Sequence, residues 1–442
     1  MTYAEALSTL LSLQRFGIQP GLERIHALLD RLDHPERKFR IVHVGGTNGK
    51  GSVAVMVAAV LQAAGLRVGL YTSPHLCSFR ERIRVDARPI SHEAVVRGLE
   101  RLLPAFEELT PTFFEVSTAL ALAHFADSAV EVAVLEVGMG GRWDATTVGV
   151  PLVSVLTRID YDHQAYLGWS LREIAGEKAA IIRSGRAVAA AQARDVTDIL
   201  AAQSEKARVP LILEGEELSA STTRNDLAGQ RLTLRGPGWT LQDLFLPLLG
   251  SFQSQNALLA VAAVKALGAA GITISDEAIR DGLSRVRWPG RFQLVGRNPL
   301  VILDGAHNPA GAQALASSLR YYFGGGVPLT LILGISSDKD KAGILKCLAP
   351  LAHRLILTAA SNPRATPPQE LQALLPPMEG RVELAATAAE ALALARGAPV
   401  TPTVCVAGSL FLVADVLTGM RGRGDIPCEI LERHDSVESL YS

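Results

Sequence analysis

Neither sign of charge is in excess in this chain: 43 Lys and Arg stand against 44 Asp and Glu, for a net charge of −1 and an isoelectric point near 6.8. So weak a field draws the molecule to neither nucleic acid nor an anionic membrane, and no partner of either kind is expected. Cysteine is scarce. Cys77, Cys347, Cys405 and Cys428 form no CxxC pair, which excludes the usual zinc spacing and a disulfide framework and fits a reducing compartment. Long hydrophobic runs are missing as well: the longest, Val53 to Leu61, is too short to span a bilayer. The first residues, Met-Thr-Tyr-Ala-Glu-Ala-Leu, lack a basic stretch followed by an apolar core, so no secretory signal is expected and the cytoplasm is the expected address. With 48% hydrophobic and 20% charged residues over 442 positions, the composition is that of a globular protein of two domains or more.

What is present starts with Ile41-Val42-His43-Val44-Gly45-Gly46-Thr47-Asn48-Gly49-Lys50-Gly51-Ser52, an apolar strand running into a glycine-rich turn that ends in lysine and serine. Glycines let backbone N–H groups approach phosphate oxygens, a helix expected from Gly51 to Ala64 aims its positive end at them, Lys50 supplies charge and Ser52 offers a hydroxyl to Mg²⁺. ATP chemistry is therefore expected, with residues 46 to 52 as the nucleotide cradle. The turn departs from a regular Walker A: the first glycine would fall on Val44, and Gly51 follows Lys50 where Ser or Thr is usual. A Gly-rich turn with no ligand is the alternative.

From Phe39 to Thr157, short β-branched runs at Ile41–Val44, Val68–Tyr71, Val132–Val137 and Val153–Leu156 alternate with helical patterns. That alternation predicts an α/β fold with a mostly parallel, doubly wound sheet. Residues 186 to 248 are less regular, and Leu213 to Pro247 reads as hairpins added to the same domain. A second α/β series has strands near Val301–Leu303, Leu329–Leu333, Leu355–Leu357 and Val404–Ala407. The expected organisation is a P-loop, parallel-sheet ATPase domain over residues 1–296, then a smaller Rossmann-like α/β domain over 297–442 ending in a polar tail from Arg421.

Several polar segments lie at expected strand ends, where such sheets bind ligands. Tyr71-Thr72-Ser73-Pro74-His75 follows the second strand, though a solvated Ser-Pro turn reads the same way. Thr112-Phe113-Phe114-Glu115 opens a helix to about Phe125; the aromatics beside a carboxylate suit a flat heterocycle, or equally a core with a helix-start acid. Leu135-Glu136-Val137-Gly138-Met139-Gly140-Gly141-Arg142-Trp143-Asp144-Ala145 puts Glu136 where a Walker B acid holds Mg²⁺. Gln253 and Asn256 open a helix and offer amides to a nucleotide, and Arg291 sits beside a Pro-Gly turn at the expected junction, within reach of a γ-phosphate on closure. Asp304-Gly305-Ala306-His307-Asn308-Pro309 follows the first strand of the second series.

Together these segments resemble, in order from about residue 15 to 415, the folylpolyglutamate and dihydrofolate synthases of the Mur ligase superfamily. The likeness runs through Gly46–Ser52, Ser73-Pro74-His75-Leu76, Glu136–Thr146, Asp162-His163, Leu167-Gly168, Glu177-Lys178-Ala179, Asp304–Asn308, Ser336–Lys341 and Gly408-Ser409-Leu410. The resemblance implies an ATP- and Mg²⁺-dependent ligase that joins L-glutamate to dihydropteroate, to reduced folates or to both, through an acyl phosphate, and works as a monomer. It implies Ser52, Ser73, Glu136 and His163 as ligands of two Mg²⁺ ions, a carbamylated Lys178, and Lys50, Asp304 and His307 as further catalytic groups. It also implies pteroate contact by Thr112, Phe113, Phe114, Glu115, Trp143, Asp144 and Ala145. Without it, Lys178 reads as a helix-surface residue. The chain departs from the pattern at Thr147 and Phe252, where the family carries Asn and His, and lacks the acidic residue some bifunctional members carry before Gly21-Leu22-Glu23-Arg24. A polyglutamylating enzyme without the dihydropteroate reaction, a Mur-type ligase for another carboxylate and a non-catalytic nucleotide-binding regulator are the alternatives; a peptidoglycan ligase would carry a substrate domain before the phosphate loop.

Overall fold

The computed structural model describes residues 1–297, 299–324, 327–397 and 403–422; most of the expected polar tail, and Cys428 with it, lies outside them. Three sheets organise the chain. The first has eight strands in the spatial order Arg88–Pro89, Ile83–Val85, Val68–Tyr71, Val132–Glu136, Arg40–Gly45, Pro151–Leu156, Arg186–Ala189 and Leu211–Leu213. All pairs are parallel except the two at the Ile83–Val85 edge. The phosphate-loop strand Arg40–Gly45 is central and buried from Ile41 on, as a strand covered on both faces must be. The second sheet is an antiparallel unit of three strands, Ser219–Asp226, Gly229–Gly236 and Trp239–Leu246. The third runs Gln293–Arg297, Leu300–Leu303, Thr403–Ala407, Leu329–Leu333, Arg354–Leu357 and Arg381–Leu384, parallel after its first pair.

The parallel series extends further than the periodicity indicates. Arg186–Ala189, helix Arg194–Ala207 and Leu211–Leu213 continue the first sheet through a stretch expected to be irregular. Arg186-Ala187-Val188-Ala189 carries a single β-branched residue, so its strand state comes from burial against neighbours rather than from propensity. Strands Gln293–Arg297 and Arg381–Leu384 likewise have few β-branched residues to mark them.

Helix Lys50–Ala63, behind the phosphate loop, is made of Val, Ala, Met and Leu and is buried on nearly every side. It is held between helices Gln253–Ala266 and Asp276–Arg285, in one core with the inward faces of both neighbouring sheets. Each fully buried Val or Leu there contributes roughly 1.5–3 kcal/mol over exposure. Contact with the second of these helices is backbone to backbone at Gly282: a Cβ there would stand 2.5 Å from Val60 Cα and 2.8 Å from Ala59 O. Neither atom can rotate away, so Gly282→Ala is expected to cost about 1–3 kcal/mol by overpacking. Chemical denaturation of the full chain checks this, and an unchanged midpoint would show that the helices separate freely.

Candidate active site

The turn after Arg40–Gly45 has a backbone that only glycine accepts easily. Gly46 (φ +128°) and Gly49 (φ +97°) lie in the left-handed region. A Cβ on Gly46 would come within 2.0 Å of Thr157 Oγ1, and one on Gly49 within 2.5 Å of Asn256 Oδ1. Thr47 ties the turn to the next strand end: its N–H donates to Arg158 O at 2.9 Å and its hydroxyl to Asp160 O at 3.0 Å. Lys50 Nζ folds back onto the turn, donating to Thr47 O at 3.0 Å and Gly46 O at 3.3 Å. Lys178 Nζ donates to the same Gly46 carbonyl at 2.8 Å. Lys178 is buried, not on a helix surface; burial, reinforced by the charge of Lys50, pulls its pKa down to about 7.

Ser52 and the amides show a layered arrangement. Ser52 is buried and its Oγ accepts from Gln253 Nε2 at 3.3 Å, while Asn256 Nδ2 donates to Gln253 Oε1 at 2.9 Å. Gln253, expected at the nucleotide, is fully buried and supports the Ser52 hydroxyl from behind. Asn256, with its amide oxygen beside Gly49, stands nearer the loop.

Glu136 ends its strand beside the loop, paired with Val44. Its Oε2 accepts the Ser73 N–H at 2.9 Å, which brings those two candidates together. Burial raises its pKa, opposed by Lys50, the Ser73 N–H, Arg291 and Arg82. Arg82, which in the sequence only accompanies the Ser73-Pro74-His75-Leu76 segment, is given no role there. It is buried, donates to His75 Nδ1 at 2.8 Å and lies 5.1 Å over the Phe113 ring.

The third sheet's strand ends face these groups. Asp304 is buried and accepts the N–H groups of Phe292 and Ala306, both at 2.8 Å. Burial raises its pKa, and Arg291 opposes that rise. Asp162 joins the two halves: Lys339 Nζ donates to its Oδ1 at 2.7 Å, Asn308 Nδ2 to its Oδ2 at 3.1 Å, and His307 Nε2 stands 3.6 Å from Oδ2. Burial pushes the Asp162 pKa up, but His307, His163 and Lys339 outweigh it and hold the carboxyl well below the usual range. Asn308 also exchanges amide hydrogen bonds of 3.1 Å with Asn48 of the phosphate loop. His163, next in sequence, is half-buried, and burial takes its pKa down to about 4, leaving a neutral imidazole at pH 7.

The expected pteroate segment is less open than its residue types suggest. Glu115 is buried with both oxygens engaged, by Arg24 Nε at 3.0 and 3.2 Å and by the Thr112 N–H at 2.7 Å and hydroxyl at 2.9 Å. Glu115 and Thr112, both expected at the pteroate, form the capping box that starts helix Phe113–Asp127. Asp144 is buried too, accepting from Met139 N, Thr146 N and Thr146 Oγ1, with His43 behind Thr146 at 2.8 Å. It shapes the glycine loop, and Ala145 is buried in the neighbouring core. Phe113 and Phe114 are half-buried beside Phe79 and Tyr71, and Trp143 is 51% exposed.

An α/β architecture with a glycine phosphate loop, a strand-end acid and a second sheet closing over both defines an ATP-dependent ligase of the Mur type. The Mur ligase middle domain family matches residues 44–264, and the Mur ligase, glutamate ligase domain matches residues 290–410. The chain belongs to this family, in its dihydrofolate synthase and folylpolyglutamate synthase branch. It is 41% identical over 370 residues to the dihydrofolate synthase/folylpolyglutamate synthase of Mycobacterium tuberculosis, covering 79% of this chain and 76% of that one. It is 35% identical over 432 residues to the folylpolyglutamate synthase of Lacticaseibacillus casei, covering 96% and 99%. The structure of Escherichia coli FolC in complex with DHPP and ADP superposes with a TM-score of 0.87 at 32% identity, over 96% of this chain and 99% of that one.

Replacing the buried Lys178 amine tests its electrostatic state. In the folded chain the amine gives up its proton near pH 7, against the ordinary 10.5, so between those values the unfolded chain holds the extra proton and stability rises with pH. Lys178→Met is expected to melt higher than the parent at pH 7 in bicarbonate-free buffer, with the gap closing as pH rises toward 10. A gap that stays constant from pH 7 to 10 would mean that the amine is held as a cation.

Proposed function

We propose that this chain catalyses ATP-dependent joining of L-glutamate to the carboxylate of dihydropteroate and of reduced folates, acting as both dihydrofolate synthase and folylpolyglutamate synthase. The observation that carries the reading is the convergence of Lys50, Lys178 and Glu136 from the first sheet with Asp304, His307 and Asn308 from the third across one cleft. The relative from M. tuberculosis, which bears both activities in its name, supports the dual assignment. The L. casei relative is named for folylpolyglutamate synthesis alone, which keeps that single activity as the second reading.

The chemistry follows from charge. A substrate carboxylate oxygen attacks the γ-phosphorus of ATP, ADP leaves, and an acyl phosphate forms. The α-amine of glutamate then adds to the acyl carbon, phosphate leaves with the original carboxylate oxygen, and the amide nitrogen loses its proton to solvent or a nearby base. Both steps need positioning and a cationic surround more than covalent help from the protein. Lys50 and Arg291 supply positive charge to the transferred phosphoryl group. Residues 46–52 cradle the phosphates with Asn256 beside Gly49, and Asp304, its oxygens on the N–H groups of Phe292 and Ala306, sets the turn from which His307 approaches on the third sheet. Phe113, Phe114 and Trp143 provide aromatic surface for the pteroate. Closure across Asp162 and Asn308 excludes water that would hydrolyse the acyl phosphate.

Among the described residues no group of three or more His, Cys, Asp or Glu side chains is arranged to hold a metal ion. That fits Mg²⁺, which takes one or two protein carboxylates with the rest of its shell from phosphates and water. Glu136 with Ser73 and Ser52, and His163 for a second ion, would hold it; when bound it neutralises phosphate charge. The amine of Lys178, near neutrality at pH 7, is suited to attack CO₂ and release a proton, and the resulting carbamate would place an anion where Lys50 and Gly46 now meet.

The organisation we favour is an ATPase half and a smaller ligase half joined at Pro289-Gly290. A division between residues 296 and 297 would cut strand Gln293–Arg297, which belongs to the third sheet. No described helix is long and apolar enough to cross a membrane. We infer a monomer working in the cytoplasm on small molecules, without nucleic acid.

Two variants test the assignment through phosphate release with ATP, Mg²⁺ and L-glutamate, with dihydropteroate or tetrahydrofolate as acceptor. Lys50→Ala is expected to lose at least a hundredfold in turnover with an unchanged melting temperature; retained activity would remove the loop from catalysis. Glu136→Gln is expected to raise the Mg²⁺ concentration for half-maximal rate at least tenfold, and an unmoved titration would take Glu136 out of the metal site.

A further inference from the structure

His43 is a buried titratable side chain that the proposed reaction leaves without a task. It stands in the central strand Arg40–Gly45, between Leu135 of one neighbouring strand and Ser154 of the other, and is 1% exposed. Val42 and Val44 pack with helix Lys50–Ala63, so His43 projects from the opposite face of the sheet, toward the loop that follows Val132–Glu136. Its Nε2 lies 2.8 Å from Thr146 Oγ1, whereas Nδ1 is buried with no partner among the described residues. Burial first and the charge of Arg183 second take its pKa down to about 3, so the ring is neutral at pH 7.

The bonds around Thr146 decide which ring nitrogen carries the proton. The Thr146 hydroxyl has a single proton and donates it to Asp144 Oδ1, which also accepts the Thr146 N–H at 3.0 Å, while Asp144 Oδ2 accepts the Met139 N–H at 2.9 Å. Thr146 Oγ1 therefore turns a lone pair to His43, and Nε2–H donates to it. The other tautomer would leave a buried N–H unpaired at Nδ1, which is costlier than a bare lone pair there. The hydrogen bonds thus run in one direction, from His43 through Thr146 to the carboxylate that gathers the N–H groups of the glycine loop.

That loop touches both sides of the proposed chemistry. A Cβ on Gly138 would stand 2.5 Å from Phe114 Cζ, and one on Gly141 would stand 2.8 Å from Glu177 O and 3.0 Å from Lys178 O. The loop therefore cannot shift without pressing on the Phe114 ring or on helix Leu171–Ala179, which carries Lys178. Thr147 closes it, donating its hydroxyl to Gly141 O at 2.7 Å and its N–H to Asp144 O at 2.8 Å. We infer that His43 is a positioning residue for the acceptor: as the neutral Nε2–H tautomer it holds the Thr146 hydroxyl on Asp144 and so sets the glycine loop against Phe114 and the Lys178 helix. The inference rests on the proposed function for the identity of the acceptor. A histidine that only fills space in the sheet core would instead be replaceable by any apolar side chain of its size.

The test is steady-state phosphate release by the full chain, with KM measured separately for ATP and for the acceptor it uses, dihydropteroate or tetrahydrofolate. The parent is compared with His43→Leu, which fills a similar volume without a donor, and with His43→Gln, which keeps an amide N–H near the position of Nε2. His43→Leu is expected to raise the acceptor KM roughly fivefold, the scale of one lost hydrogen bond, with the ATP KM within about twofold and a melting temperature no lower than the parent's. His43→Gln is expected to recover most of the acceptor affinity. Thr146→Val and Thr146→Ser make the same comparison one bond further along if His43→Leu does not fold. An unchanged acceptor KM in His43→Leu, equal losses for ATP and acceptor that follow the melting temperature, or no recovery in His43→Gln would overturn the inference. Independently of turnover, ¹⁵N NMR of histidine-labelled protein is expected to show His43 protonated at Nε2 and bare at Nδ1 between about pH 5 and 8, and a proton on Nδ1 would overturn it as well. A parent that releases phosphate with neither acceptor would count against the proposed function, and the NMR measurement would still judge the direction of the bonds.

Discussion

Two ammonium groups share one carbonyl oxygen at the centre of this molecule. Lys50 and Lys178 both donate to Gly46 O, from opposite sides of a turn whose backbone only glycine adopts without strain. Two cations so close are tolerable only if one gives up its proton or an anion comes between them; burial first, and the charge of Lys50 second, bring the Lys178 pKa down to about 7 and favour the first solution. A polyphosphate supplies the second. The loop is thus poised electrostatically for the ligand proposed for it, and the buried strand and helix on either side hold it in that state.

The third sheet meets the first half through one carboxylate and one pair of amides. Asp162 collects Lys339, Asn308 and His307 from the other side of the cleft, and Asn308 grips Asn48 in the loop itself. A charge-assisted hub of this kind fixes the register of two halves more sharply than an apolar contact, because displacement would leave a buried carboxylate unpaired.

Much of this was legible in the sequence because its signals are local. The strand-to-glycine transitions at residues 41–52 and 132–141 announce sheet ends, and Ser73, Glu136 and Asp304 sit at or just past the ends of strands. The bonding of Glu115 and Asp144 was not legible: a carboxylate at a helix start or in a glycine loop has the same sequence appearance whether it faces a ligand or caps backbone N–H groups, and here both accept from the backbone. Gln253 belongs to the same class, its amide turned inward to Ser52. Long-range partners were invisible. Nothing near residue 162 points to residues 308 and 339, and the burial of Arg82 and Lys178 depends on packing that a periodic pattern does not encode. Arg186–Ala189 was missed because neighbours, not residue type, hold it extended.

The central claim is that the cleft activates a carboxylate as an acyl phosphate before glutamate attacks. The most direct measurement supplies dihydropteroate with ¹⁸O in its carboxylate, together with ATP, Mg²⁺ and L-glutamate, and analyses the released phosphate by mass. Transfer of one ¹⁸O from carboxylate to phosphate for each amide formed is the predicted result. Unlabelled phosphate accompanying amide formation would contradict the acyl-phosphate route.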